Sequence, residues 1–84
     1  MLLPTKGISG ERALLSVGAS VLDVLDSPAT VSGLWERFTR REALRPDAPK
    51  ITFDWFTLAL AMLFAMGALD WNTRGRLERR HVAT

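Results

Sequence analysis

The 84-residue chain is long enough for one small domain, and at this size only about 60% of the unfolded chain's surface is buried on folding. It contains no cysteine, which excludes disulfides, thiolate chemistry and cysteine-based zinc sites. Hydrophobic residues make up 48% and charged residues 24% of the composition, which excludes a chain held unfolded by its own charge. The net charge is only +2, but the arginines are clustered, so local basic surfaces are the candidates for anion binding.

The first eight residues show neither helical nor strand periodicity, so we predict an extended arm over residues 1–8 that is available to pair with a later strand. Pro4, Lys6 and Gly7 interrupt the only apolar stretch of this arm. The arm therefore lacks the uninterrupted apolar core of a secretory signal, and we expect a cytoplasmic protein.

The first helix is predicted from residue 10 to about residue 25. Ser9 is a favourable N-cap, and Glu11 lies in the first turn, where the helix dipole favours negative charge. Apolar side chains recur at helical spacing, at Leu14, Val17, Val21, Leu22 and Leu25. Gly18 inside this helix costs roughly 1 kcal/mol relative to alanine, so we expect the third helix or the wing to cross closely there.

A second helix is predicted after the break at Asp26-Ser27-Pro28. Thr30 can cap it, and it should end near residues 43–44. Its apolar positions at helical spacing are Val31, Leu34, Trp35 and Phe38. We assign Trp35 and Phe38 to the core, so their loss should unfold the domain.

The third helix is the most apolar part of the chain. The prolines of segment 45–50 indicate a loop, after which Thr52 can cap the helix and Asp54 is well placed in its first turn. Fifteen consecutive uncharged residues then run from Trp55 to Leu69. At about 100° per residue, one face carries Phe53, Phe56, Leu60, Leu63 and Phe64, and the opposite face carries Trp55, Leu58, Met62 and Met66.

Two apolar faces on one helix need two surfaces to bury them. A chain this short can cover one face with its own core, so the second face points to a protein partner, a membrane or a ligand. Spanning a membrane takes about 20 apolar residues, and this run is shorter and has a carboxylate at each end, so we predict no membrane span. The alternative is that the second face packs beneath the first helix and the N-terminal arm.

A small hairpin is predicted to follow the third helix. Gly67 can end that helix, and segments 68–71 and 76–79 flank the turn sequence Asn72-Thr73-Arg74-Gly75. We call the hairpin, residues 68–80, the wing. Three helices followed by a hairpin give a mainly α fold, a single winged helix-turn-helix domain over residues 1–84.

Several segments of the chain together resemble a known family. They are Leu2-Leu3-Pro4-Thr5-Lys6, the stretch Arg12–Ala19, the turn Pro28–Trp35, the stretch Phe53–Leu60 and the segment Met66–Leu69. Over nearly its whole length the sequence resembles the small middle component, type six, of ABC-three-component systems. The resemblance lies in the combination of these segments, because no single one is diagnostic.

This resemblance implies a bacterial operon that also encodes an SMC-like ABC ATPase and a larger effector or companion protein, acting in defence against phages or plasmids. It implies that the chain is a non-catalytic winged-helix adaptor, which docks on the larger subunit and couples it to the ATPase.

The third helix agrees with that role on independent grounds. In a DNA-reading winged helix this element presents polar or basic side chains to base edges. Between Thr52 and Leu69 the only charged side chain is Asp54, which a phosphate backbone repels. We therefore predict no base readout. The predicted protein interface consists of Trp55, Leu58, Met62 and Met66.

The arginines form two further candidate surfaces. One cluster, at the end of the second helix, consists of Arg37, Arg40 and Arg41. The other, on or after the wing, consists of Arg74, Arg76, Arg79 and Arg80. Both are candidates for non-specific contact with DNA or with an acidic partner. The alternative is that the first cluster interacts with a helix dipole and that the second keeps an exposed hairpin edge soluble.

Catalysis finds little support in the sequence. The only histidine is His81, no cysteine or tyrosine accompanies it, and no serine lies in a motif with a base. Asp23 and Asp26 make a weak metal site, and the glycines are scattered singly instead of forming a phosphate loop. We predict no enzymatic activity, no metal, no cofactor and no small-molecule substrate.

The alternative function is a free-standing DNA-binding regulator or antitoxin. A regulator would dimerise and bind a palindromic site tightly, whereas an adaptor should show at most salt-sensitive, sequence-independent DNA binding. A membrane-active protein, the remaining alternative, would bind lipid as an isolated chain.

Overall fold

Three helices precede a two-stranded hairpin, in the order of a winged helix. The structure, a computed structural model, describes residues 10–47 and 50–80. The elements are α1 (Gly10–Val24), α2 (Val31–Glu42), α3 (Phe53–Ala65), β1 (Leu69–Trp71) and β2 (Leu77–Arg79). They confirm the predicted mainly α fold with a small hairpin. The predicted N-terminal arm, the Ser9 cap and His81 lie outside the described residues.

Two threonines begin α2 and α3, as predicted. The Thr30 hydroxyl accepts a hydrogen bond from the backbone N–H of Gly33 at 3.0 Å. The Thr52 hydroxyl accepts one from the backbone N–H of Trp55 at 3.3 Å. Each cap satisfies a backbone donor that has no partner inside its helix.

Gly67 ends α3 in the way its position predicts. Its φ is 75°, a left-handed conformation that glycine adopts without steric cost. The N–H of Gly67 donates to the carbonyl of Phe64 at 3.0 Å, and the N–H of Ala68 donates to that of Leu63 at 2.8 Å. This bonding pattern is a Schellman motif, which turns the chain directly from α3 into β1.

The turn of the wing is held by the side chain of Asn72. Its Oδ1 accepts hydrogen bonds from the backbone N–H groups of Arg74 at 2.9 Å and Arg76 at 3.0 Å. Gly75 takes a positive φ of 73°. The strands pair antiparallel, with Leu69 opposite Arg79, Asp70 opposite Glu78 and Trp71 opposite Leu77.

A contact that the sequence did not predict joins the wing to the link between α1 and α2. The N–H of Ala29 donates to the carbonyl of Leu77 at 3.0 Å, and the N–H of Leu77 donates to that of Ala29 at 2.7 Å. Ala29 therefore pairs with β2 on the side opposite β1. A single residue between Pro28 and Thr30 carries no periodic signal, so sequence patterning could not identify this bridge.

The core lies between α1 and α3 and is closed by α2 and the wing. Its buried members are Val17, Val21, Leu25, Ala29, Leu34, Phe38, Phe56, Ala59, Leu60, Leu63, Leu69 and Leu77. Phe38 is buried as predicted, whereas Trp35 packs against the core only half-buried. The rings of Trp35 and Phe56 lie 5.0 Å apart.

The predicted close crossing at Gly18 is confirmed. A Cβ atom placed on Gly18 would lie 2.7 Å from the Cε of Met62 and 3.4 Å from the Cδ2 of Leu63. Both side chains belong to α3, so the lack of a side chain at Gly18 lets α1 and α3 approach each other.

Candidate interaction surfaces

The buried side of α3 differs from the predicted one. Its buried residues are Trp55, Phe56, Ala59, Leu60 and Leu63, an arc of about 140° around the helix. Trp55 was predicted to face outward, but it is only 6% exposed. Phe53 was predicted to face inward, but it is 46% exposed.

Met62 also departs from its predicted place. It is half-buried, because its side chain fills the space that Gly18 leaves on α1. The predicted face of Trp55, Leu58, Met62 and Met66 is therefore wrong as a single outward face, because Trp55 is buried and Met62 is half-buried. At Met62 the physical reason is the close approach of α1 at Gly18, which brings the Met62 side chain against α1.

The other two members of that face are exposed. Leu58 is 41% and Met66 62% exposed. Ala61 and Ala65 are exposed on the same side as Leu58. We call Leu58, Ala61, Ala65 and Met66 the α3 surface. Asp54, which is exposed four residues before Leu58 and seven before Ala61, lies on the same side and is the only charged residue of the helix.

An aromatic pair borders the α3 surface on the wing side. Trp71, at the end of β1, is 50% exposed, and its ring stacks on that of Phe64 with centroids 5.7 Å apart and planes at 28°. Phe64 lies three residues after Ala61 and directly before Ala65, so the pair adjoins the α3 surface. The sequence pattern indicates only that Trp71 belongs to a strand. Trp71 lies two residues after buried Leu69, so both side chains are on the inner face of the hairpin. Only the fold shows that Trp71 extends beyond the core.

The arginines of α2 are held by the end of α1. Arg37 donates from Nη1 to the carbonyl of Ser27 at 2.9 Å, and the same nitrogen lies 3.4 Å from Oδ1 of Asp26. Arg41 forms an ion pair with Asp23. Of the predicted cluster, Arg40 alone has no ion pair within the part of the chain that the structure describes. Two of its three cations are thus engaged in joining α1 to α2.

The wing arginines are arranged differently. Arg74, Arg76, Arg79 and Arg80 are all exposed, and none has an ion pair within residues 10–47 and 50–80. The same hairpin carries two carboxylates, Asp70 and Glu78, directly opposite each other on its outer face. Its charge is therefore mixed, with arginines in excess.

Within residues 10–47 and 50–80 no group of three or more acidic or histidine side chains is placed to hold a metal ion. None of the helices in those ranges has the length and apolar character needed to cross a membrane.

A family model described as ABC-three component (ABC-3C) system Middle Component 6 matches residues 3–80. Neither the curated proteins nor the solved structures gave a significant match.

Proposed function

Because the chain belongs to the Middle Component 6 family of ABC-three component systems, we propose that it acts as a non-catalytic winged-helix adaptor within such a system. In this role it docks on a larger protein subunit and couples that subunit to the system's SMC-like ABC ATPase. The assembly is a cytoplasmic, bacterial defence complex, and the adaptor itself binds no cofactor or small-molecule substrate.

The observation that carries this proposal is the character of the α3 surface. In a winged helix that reads DNA, the exposed side of the third helix supplies hydrogen-bond donors and acceptors to base edges. Here that side consists of Asp54, Leu58, Ala61 and Ala65, with Met66 at the end of the helix, so it carries one carboxylate and no cation. Exposed leucine and methionine beside small alanines favour close packing against apolar side chains of another protein.

The test is complex formation by co-expression with the other components of the same system. Leu58→Asp combined with Met66→Asp places two carboxylates on the α3 surface and should abolish the complex, because burial of an unpaired charge is costly. The free chain should remain folded, since both side chains are exposed.

A matched control is available on α1. Leu15 is 52% exposed and lies outside the α3 surface, so Leu15→Asp should leave the complex intact. The proposal fails if the α3 variant still forms the complex, or if Leu15→Asp disrupts it equally.

The rival function, a free-standing DNA-binding regulator, predicts a different outcome. A regulator would be a stable dimer without its neighbours and would bind one palindromic sequence far more tightly than random DNA. Light scattering of the isolated chain and DNA binding at two salt concentrations separate the two functions. An adaptor whose arginines touch only the DNA backbone would show weak binding that salt abolishes for every sequence alike.

A further inference from the structure

We propose that the turn end of the wing is a second docking site, which binds an acidic segment of the protein partner through Trp71, Arg74 and Arg76. This inference rests on the proposed function, because it specifies the chemistry of the partner that the adaptor binds. It adds a polar, charge-dependent contact to the apolar contact of the α3 surface.

The apolar part of the site is Trp71. One face of its ring is stacked on Phe64, and half of the residue is exposed to solvent. The stacking fixes the ring before any partner arrives, so binding loses little side-chain entropy. Tryptophan and arginine are the residues that most often dominate the energetics of protein interfaces.

The charged part of the site is held by the turn. Asn72 accepts hydrogen bonds from the backbone N–H groups of both Arg74 and Arg76, and it accepts a third, through its carbonyl, from the N–H of Gly75 at 3.1 Å. The backbone of both arginines is therefore fixed, although their side chains are exposed. Alternation along the strands places Trp71 on the inner face of the hairpin and Arg76 on the outer face, and Arg74 lies in the turn that joins the two strands. The proposed site therefore wraps around the turn end of the hairpin.

Charge complementarity indicates an acidic partner. Two of the three α2 arginines are engaged by Asp23 and Asp26, whereas the wing arginines have no ion pair in the described ranges. An unpaired arginine is available to form bidentate bonds with a carboxylate.

A protein segment fits this surface better than duplex DNA does. DNA carries one charge per about 1.7 Å of helix axis, so it would meet Asp70 and Glu78 on the wing and Asp54 on α3 as well as the arginines. An acidic segment of a protein can place single carboxylates at Arg74 and Arg76 and an apolar side chain on Trp71. It would also continue the contact made by the adjoining α3 surface.

The experiment measures the affinity of the full chain for the other components of its system, by calorimetry at low and at high salt. The variant carrying both Arg74→Glu and Arg76→Glu should bind at least about tenfold more weakly at low salt, and high salt should reduce that difference. The variant with Arg74→Lys and Arg76→Lys should recover most of the affinity, because it keeps the positive charge. Arg40 of α2 is exposed and has no ion pair within residues 10–47 and 50–80, so Arg40→Glu is the matched control and should bind like the wild type.

Trp71→Ala should also weaken binding, and Trp71→Phe should restore part of it. The same variants are titrated in parallel with a short DNA duplex. Loss of duplex binding with unchanged protein binding would overturn the proposal and make the turn a nucleic-acid surface. If the variant carrying Leu58→Asp and Met66→Asp loses the complex but the wing variants keep it, the adaptor role stands and the proposal of a docking site on the wing is wrong. If no complex forms with the wild-type chain, both proposals fall.

Discussion

The arginines at the end of α2 and those of the wing look alike in the sequence but serve different ends in the fold. Arg37 and Arg41 of α2 bind the last turn of α1 and the link that follows it, through the carbonyl of Ser27 and the carboxylates of Asp26 and Asp23. The wing arginines extend from a hairpin and have no ion pair among the described residues. Whether a basic cluster is structural or available to a partner therefore depends on which carboxylates the fold brings beside it.

The link between the two regions is the bridge between Ala29 and Leu77. Ala29 lies two residues after Ser27, whose carbonyl Arg37 binds, and it pairs with Leu77 in β2 of the wing. Arg37 thus binds the link from which Ala29 pairs with the wing.

The largest change in the free energy of unfolding should come from a substitution that detaches the wing from the core. Leu77 is fully buried and lies opposite Trp71, whereas Trp71 is half exposed. Leu77→Ala should lower the free energy of unfolding by about 2–5 kcal/mol, because it leaves a cavity in the core. Trp71→Ala should lower the free energy of unfolding by clearly less than Leu77→Ala does. Urea denaturation of both variants tests this contrast, and equal losses would mean that Trp71 is as structural as Leu77.

A smaller change in the free energy of unfolding should distinguish the arginines of α2 from those of the wing. Arg37→Ala removes a charge-assisted hydrogen bond to the Ser27 carbonyl and the ion pair to Asp26, so we expect a loss of about 1–2 kcal/mol. Arg76→Ala should change stability by no more than about 0.5 kcal/mol, since its side chain is exposed. Thermal and urea denaturation supply the comparison. A loss at Arg76 as large as that at Arg37 would contradict the proposed division of roles.

The sequence predicted the features that depend on local chemistry. The caps at Thr30 and Thr52, the end of α3 at Gly67 and the wing turn after Trp71 each need only a few neighbouring residues. The close crossing at Gly18 is a contact between residues distant in sequence, and it was also predicted correctly, because a glycine inside a helix is costly unless another element comes close. The order of these elements was enough to predict the fold.

The orientation of α3 could not be predicted in the same way. Almost every side of this helix is apolar, so hydrophobic periodicity does not single out the buried side. The outcome depends on packing against the other elements: Trp55 is buried, Met62 is half-buried against Gly18 of α1, and Phe53 is exposed. The exposure of Trp71 and the pairing of the α2 arginines likewise depend on residues distant in sequence.

The smallest expected effect concerns the ion pair between Arg41 and Asp23. Their side chains are 41% and 63% exposed, so water and salt screen the attraction. A double-mutant cycle with Arg41→Ala and Asp23→Ala should give a coupling of about 0.2–1 kcal/mol, and high salt should reduce it. The cycle sharpens the contrast between the two regions, because Arg41 acts on the side chain of an exposed acid whereas Arg37 also binds a backbone carbonyl. A coupling near zero would mean that Arg37 alone joins α2 to α1 and that Arg41 is as available to a partner as the arginines of the wing.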